Sequence, residues 1–171
     1  MRRLLLVAML LSCSIAQAIG ASGVQGQSTP PTKLYLGWVD ISSDDWAPLG
    51  YANKQEWLDL VNGGNEAFQA NSRRLLRGYE VVGAKDALET YGGGEGLQVR
   101  FTEVRFDVDS YALHTAISIV DSKTGTELVK VPTRSYRGGH FSVSSCLSGD
   151  FEKLAERVAK EIRQLEKKGN R

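Results

Sequence analysis

The sequence predicts an α+β two-layer sandwich, in which two amphipathic helices pack on one face of a mostly antiparallel sheet in the order β-α-β-β-β-β-α. Three observations predict it. Apolar residues recur at helical spacing in residues 54–76 and again from Phe151 to Leu165. Two long alternating runs, Leu97 to Val108 and Tyr111 to Val120, have the period of strands. A third run, Glu127 to Tyr136, returns after a turn-forming segment.

Lys33 to Ile41 opens the fold as a strand, because aromatic and branched residues are bounded by polar clusters. Asn53 with Glu56 three residues on is a capping box, each side chain serving a free N–H of the first helical turn. Trp57, Leu60, Val61, Gly64, Phe68, Leu75 and Leu76 then form the apolar face. Gly63 and Gly64 each weaken a helix by about 1 kcal/mol relative to Ala, so close packing on a neighbour is their expected purpose. Gly78 ends the helix, and Tyr79 to Val82 is a short second strand. Residues 84–90 could form one helical turn, and the glycines between Tyr91 and Gly96 make a loop.

In the first long run, apolar residues sit at 97, 99 and 101 and then at 104, 106 and 108. That change of phase predicts a bulge near Thr102 and Glu103. Asp121 to Gly125 supplies a turn, with glycine where a left-handed residue is wanted. Pro132 lacks a ladder donor, so the returning strand should lie at an edge or be irregular there. The last helix is expected to start with Ser148 or Asp150 as its cap. Phe151, Leu154, Ala155, Val158, Ile162 and Leu165 form its stripe, and Glu156 with Lys160 a supporting pair.

The start reads as an export signal: Arg2 and Arg3, an apolar stretch from Leu4 to Leu11, and the small-x-small pattern Ala16-Gln17-Ala18. The stretch falls short of the roughly 18 residues that span a bilayer. Cleavage after Ala18 defines residues 1–18 as signal peptide, 19–32 as a flexible Gly/Ser/Pro leader and 33–168 as a single α+β domain. The competing cut falls before Cys13, since Leu10-Leu11-Ser12-Cys13 resembles the lipobox of bacterial lipoproteins. The first cut predicts a periplasmic or secreted protein. The second predicts one lipid-anchored in the envelope through Cys13, the only route by which the residues put this chain on a membrane.

Removing 18 of 171 residues leaves 153, enough for one domain. Arg2 and Arg3 go with them and no acid does, so 21 Lys+Arg become 19 against 20 Asp+Glu and the formal charge falls from +1 to −1. A near-neutral chain has no electrostatic footprint for nucleic acid.

An exported start, a first strand, an amphipathic helix, a hairpin reading VDSKTGTEL and a last amphipathic helix resemble the small α/β lipoproteins of bacterial envelopes. These include distant relatives of the amino-terminal domain of TolB and of the CsgG lipoprotein. The resemblance covers the layout of residues 33–166, with Asp-x-x-Thr-Gly as its local motif. It implies a role in envelope assembly or scaffolding and carries over no catalytic residue.

The candidate chemistry is thin. Asp40, Ser42 and Asp44 match neither a calcium loop, which would need Gly at Asp45 and Glu at Tyr51, nor an Asp-x-Ser-x-Ser metal site. The glycines after Tyr91 lead into a strand, the wrong context for a phosphate cradle. Two histidines without a cysteine pair do not make a zinc site. No cofactor, metal or catalytic set is predicted. His114 is expected to be a packed, neutral strand histidine, and Asp107 and Asp109 to share a solvent face. Trp38, Trp46, Tyr51, Tyr91 and Tyr136 are aromatics of interest. Trp46 and Tyr51, in a loop, are candidate contacts for a partner if they are not a lid over the core.

Three functions follow as expectations. The first is a non-catalytic exported envelope protein acting through protein–protein or surface contacts, with another envelope protein as partner. The second is an extracytoplasmic thiol enzyme or hydrolase using Cys146 and His140, six apart in a polar segment. The third is a small-ligand-binding module.

Overall fold

A computed structural model describes residues 32–42, 53–83, 94–137 and 142–169. The signal and the leader up to residue 31, Cys13, Trp46, Tyr51, Tyr91 and His140 lie outside the described residues, as does the expected turn at 84–90; Thr32, the last leader residue, instead opens the first strand. The elements are β1 (Thr32–Leu36), α1 (Lys54–Leu75), β2 (Tyr79–Val82), β3 (Leu97–Asp107), β4 (Ala112–Asp121), β5 (Glu127–Tyr136) and α2 (Val143–Gly169). They form the expected α+β sandwich, with the strands in the spatial order β2-β1-β3-β4-β5. β1 is parallel to both β2 and β3, with α1 as the crossover that a parallel β1–β2 pair requires. The longer ladders, β3–β4 and β4–β5, are antiparallel. Both helices contribute to one core with the sheet, built around Leu34, Leu36, Trp57, Phe68, Ile117, Phe151 and Ile162.

β1 is shorter than the run from Lys33 to Ile41 predicts, and Gly37 shows why. Its N–H donates to Val99 O at 2.8 Å. A Cβ there would stand 2.7 Å from that oxygen, so the chain passes only as glycine. Beyond Gly37, helix side chains replace the neighbouring strand. Val39 N–H donates to Asn65 Oδ1 at 2.9 Å, and Asn65 Nδ2 donates to Val39 O at 3.0 Å. Trp57 Nε1 donates to Ile41 O at 3.0 Å.

Asn53 caps α1 as expected, its Oδ1 accepting the Glu56 N–H at 3.1 Å, while the Glu56 carboxylate meets the side-chain Nδ2 of Asn53 at 3.4 Å. The two glycines differ in purpose. A Cβ on Gly64 would lie 2.5 Å from the Phe151 ring, so this glycine lets α2 approach. A Cβ on Gly63 would meet nothing within 4 Å, against the expectation that it too serves packing.

β3 carries its bulge where the phase changes, the register slipping between Thr102 and Arg105 with Glu103 at φ 55°. β5 lies at the sheet edge and is also irregular beside Pro132: Val131 pairs with Ile117, but Arg134 pairs with Thr115. Each flanking strand thus has one extra residue opposite the same stretch of β4. Thr133 Oγ1 donates to Glu103 Oε2 across it.

α2 begins five residues before the expected cap at Ser148. Ser142 caps it, its Oγ accepting the Ser145 N–H at 3.1 Å while Ser142 N–H donates to Ser145 Oγ at 3.0 Å. Small polar residues interleaved with Val143, Cys146 and Leu147 disguise this turn as a loop. Asp150 is therefore no cap. It is fully buried, and its Oδ2 accepts the Leu113 N–H of β4 at 2.9 Å. Glu156 pairs backwards with Lys153 at 2.9 Å rather than forwards with Lys160.

Candidate functional site

The bulge at Pro132 and Thr133 has a consequence on the helix side of β5. Val129 and Val131 face the helices, opposite Ile119 and Ile117. An unbroken strand would continue that row with Thr133 and Ser135, because side chains alternate faces. The extra residue resets the phase and puts Arg134 and Tyr136 there, opposite Thr115 and Leu113. On α2, Lys153, Glu156, Arg157 and Lys160 share one helical face at spacings of three and four. The two rows meet as an open groove of about 790 Å³, lined by Arg134, Ser135, Tyr136 and Arg137 from one side and those four from the other.

Charge in the groove is uneven. Arg157 Nη2 lies 2.6 Å from Glu161 Oε1, and Lys153 is held by Glu156. Arg134 and Lys160 have no carboxylate partner among the described residues, and both are exposed. Tyr136 is only 6% exposed, yet among the described residues its hydroxyl has no hydrogen-bond partner; nor has the buried Nε of Arg157. Burial pushes the Tyr136 hydroxyl pKa up, opposed by the nearby Arg157 and Arg134 guanidiniums and reinforced by Glu161. Two buried donors and two cations without a carboxylate partner among the described residues thus border one groove.

The other predicted residues stand elsewhere. Cys146 is buried in the first turn of α2, not in a polar segment, and its N–H donates to Ser142 O at 2.8 Å. His114 pairs across the ladders with Arg105 and Ser135 on the opposite face of the sheet. Its Nε2 lies 3.7 Å from Asp107 Oδ2, beyond hydrogen-bond reach. Burial first, then Arg105, push its pKa below the usual 6.5; Asp107 opposes this and Arg137 reinforces it. Asp107 instead shapes the β3–β4 turn by accepting the N–H groups of Asp109 and Ser110. Asp40 likewise accepts the Ser42 N–H at 3.0 Å, the local turn bond expected of that loop. No group of three or more His, Cys, Asp or Glu is placed to hold a metal among the described residues, and no helix there is long and apolar enough to cross a membrane.

The groove was missed in the sequence because its halves lie on separate elements about twenty residues apart. The signals were Tyr136, and a cationic row on α2 flanking the apolar stripe.

Neither a family model nor a curated protein matches the chain. Among solved structures it is similar to a Helicobacter pylori protein described as a homolog of neuraminyllactose-binding hemagglutinin, at 11% identity and a TM-score of 0.41. The match covers 81% of this chain and 92% of that one. A likeness at that level carries no argument about function.

Proposed function

We propose that this chain is an exported bacterial envelope protein that acts by contact rather than catalysis, with the groove between β5 and α2 as its binding surface. The observation that carries the reading is the pairing of unneutralised Arg134 and Lys160 with the buried, unpartnered hydroxyl of Tyr136. Unpaired buried donors cost about 1–3 kcal/mol each, a cost that a bound acceptor removes. Export is supported by the charged start, the short apolar stretch and Ala16-Gln17-Ala18. The layout resembling envelope lipoproteins supports the same setting, with another envelope component as partner.

A photoreactive amino acid at position 156, on the groove wall, tests this in the native host. The expected result is a discrete crosslinked adduct that disappears when Arg134→Glu is added. The same probe at exposed Leu128 should not give that adduct. An adduct from Leu128 but not from position 156, or one indifferent to Arg134→Glu, overturns the groove as the contact surface.

A further inference from the structure

We infer that the groove recognises a dianionic phosphoryl group, a phosphomonoester carried by its ligand; this rests on the binding reading above. Charge balance selects the class. Glu156 and Glu161 neutralise Lys153 and Arg157, which leaves Arg134 and Lys160 as two uncompensated cations on the helix side of the groove. Arg137 lines the groove as well, with no carboxylate partner among the described residues. An excess of two or more cations matches a dianion better than it matches a single carboxylate.

The donors fit the same group. Guanidinium forks give phosphate oxygens paired N–H contacts, and an ammonium adds a point charge. Arg134, Tyr136 and Arg157 all line this groove. Arg157 spends Nη2 on Glu161 and keeps Nε without a partner, as Tyr136 keeps its hydroxyl. A phosphoryl group supplies acceptor oxygens for all of them, and no covalent step is involved.

Calorimetry of the purified protein with glycerol phosphate at low salt is the test, with acetate as the monoanion control. A parallel arm measures sedimentation with phosphatidylcholine vesicles that contain or lack phosphatidic acid. Saturable binding to glycerol phosphate is expected, weakened about tenfold or more by Arg134→Gln or Lys160→Gln. Acetate should bind at least as much more weakly. Tyr136→Phe should weaken binding without lowering the melting temperature, because its hydroxyl has no partner among the described residues; a purely structural tyrosine would behave in the opposite way. Binding confined to phosphatidic acid vesicles, and lost in the same variants, supports a lipid-borne phosphoryl group. No saturable binding in either arm, or binding that the variants leave intact, overturns the inference. If the position-156 adduct nevertheless forms and depends on Arg134, the contact surface stands and only the ligand class falls.

Discussion

Asn65 and Val39 are joined by two hydrogen bonds, the side-chain amide of one pairing with both backbone polar groups of the other at 2.9 and 3.0 Å. Its Nδ2 also donates to Val61 O at 3.0 Å. A helix side chain thus acts as a strand edge, and it holds the chain that leaves β1 against α1.

Asn65→Ala should therefore cost about 2–4 kcal/mol, since it strands the buried N–H and C=O of Val39. Urea unfolding with an unchanged slope would show the loss. A cost below about 0.5 kcal/mol would mean that the amide contributes no net stability.

The two neighbouring glycines should respond with opposite signs. Gly63→Ala has open space and gains helix propensity, so it should stabilise by up to about 1 kcal/mol. Gly64→Ala forces a methyl group against Phe151 and should cost about 1–3 kcal/mol. Thermal melts of the two variants compare them directly; equal shifts would contradict the helix contact.

Cys146 should be inert. At 6% exposure in a packed helical turn, it is expected to react with a bulky disulfide reagent only after denaturation. Fast labelling of the folded protein would revive the thiol-enzyme reading.

His114 gives a pH signature whose sign follows from burial. Its folded pKa is below the unfolded value near 6.5, so the unfolded chain binds the proton first as pH falls. The associated stability is present above that unfolded value and is lost as pH drops toward the folded pKa. Proton NMR titration can follow the chain's two histidines separately. A His114 pKa at or above 6.5, or a stability profile that His114→Gln does not flatten in that window, would contradict the burial argument.

The parts legible in sequence were those where one element declares itself. The phase change at Thr102 located a bulge, Pro132 an irregular edge, and Asn53 with Glu56 a helix start. The parts that were not legible join elements distant in sequence. Asn65 sits among Val61, Gly64 and Phe68 on the buried stripe, a signal that a polar group there needs a partner, but nothing local named Val39. Asp150 looked like a cap because capping and buried acceptance call for the same side chain. The groove depends on a one-residue reset in β5 whose side of the sheet only the pairing with β4 reveals.

Export is measured most directly by the mass of the mature amino terminus, taken from protein isolated from its native host and fractionated by compartment. Cleavage after Ala18 predicts an unmodified chain that begins at Ile19 in the periplasmic or secreted fraction. A diacylated Cys13 would instead move the protein onto the membrane and contradict that cut. A chain that retains Met1 in the cytoplasm would contradict export itself.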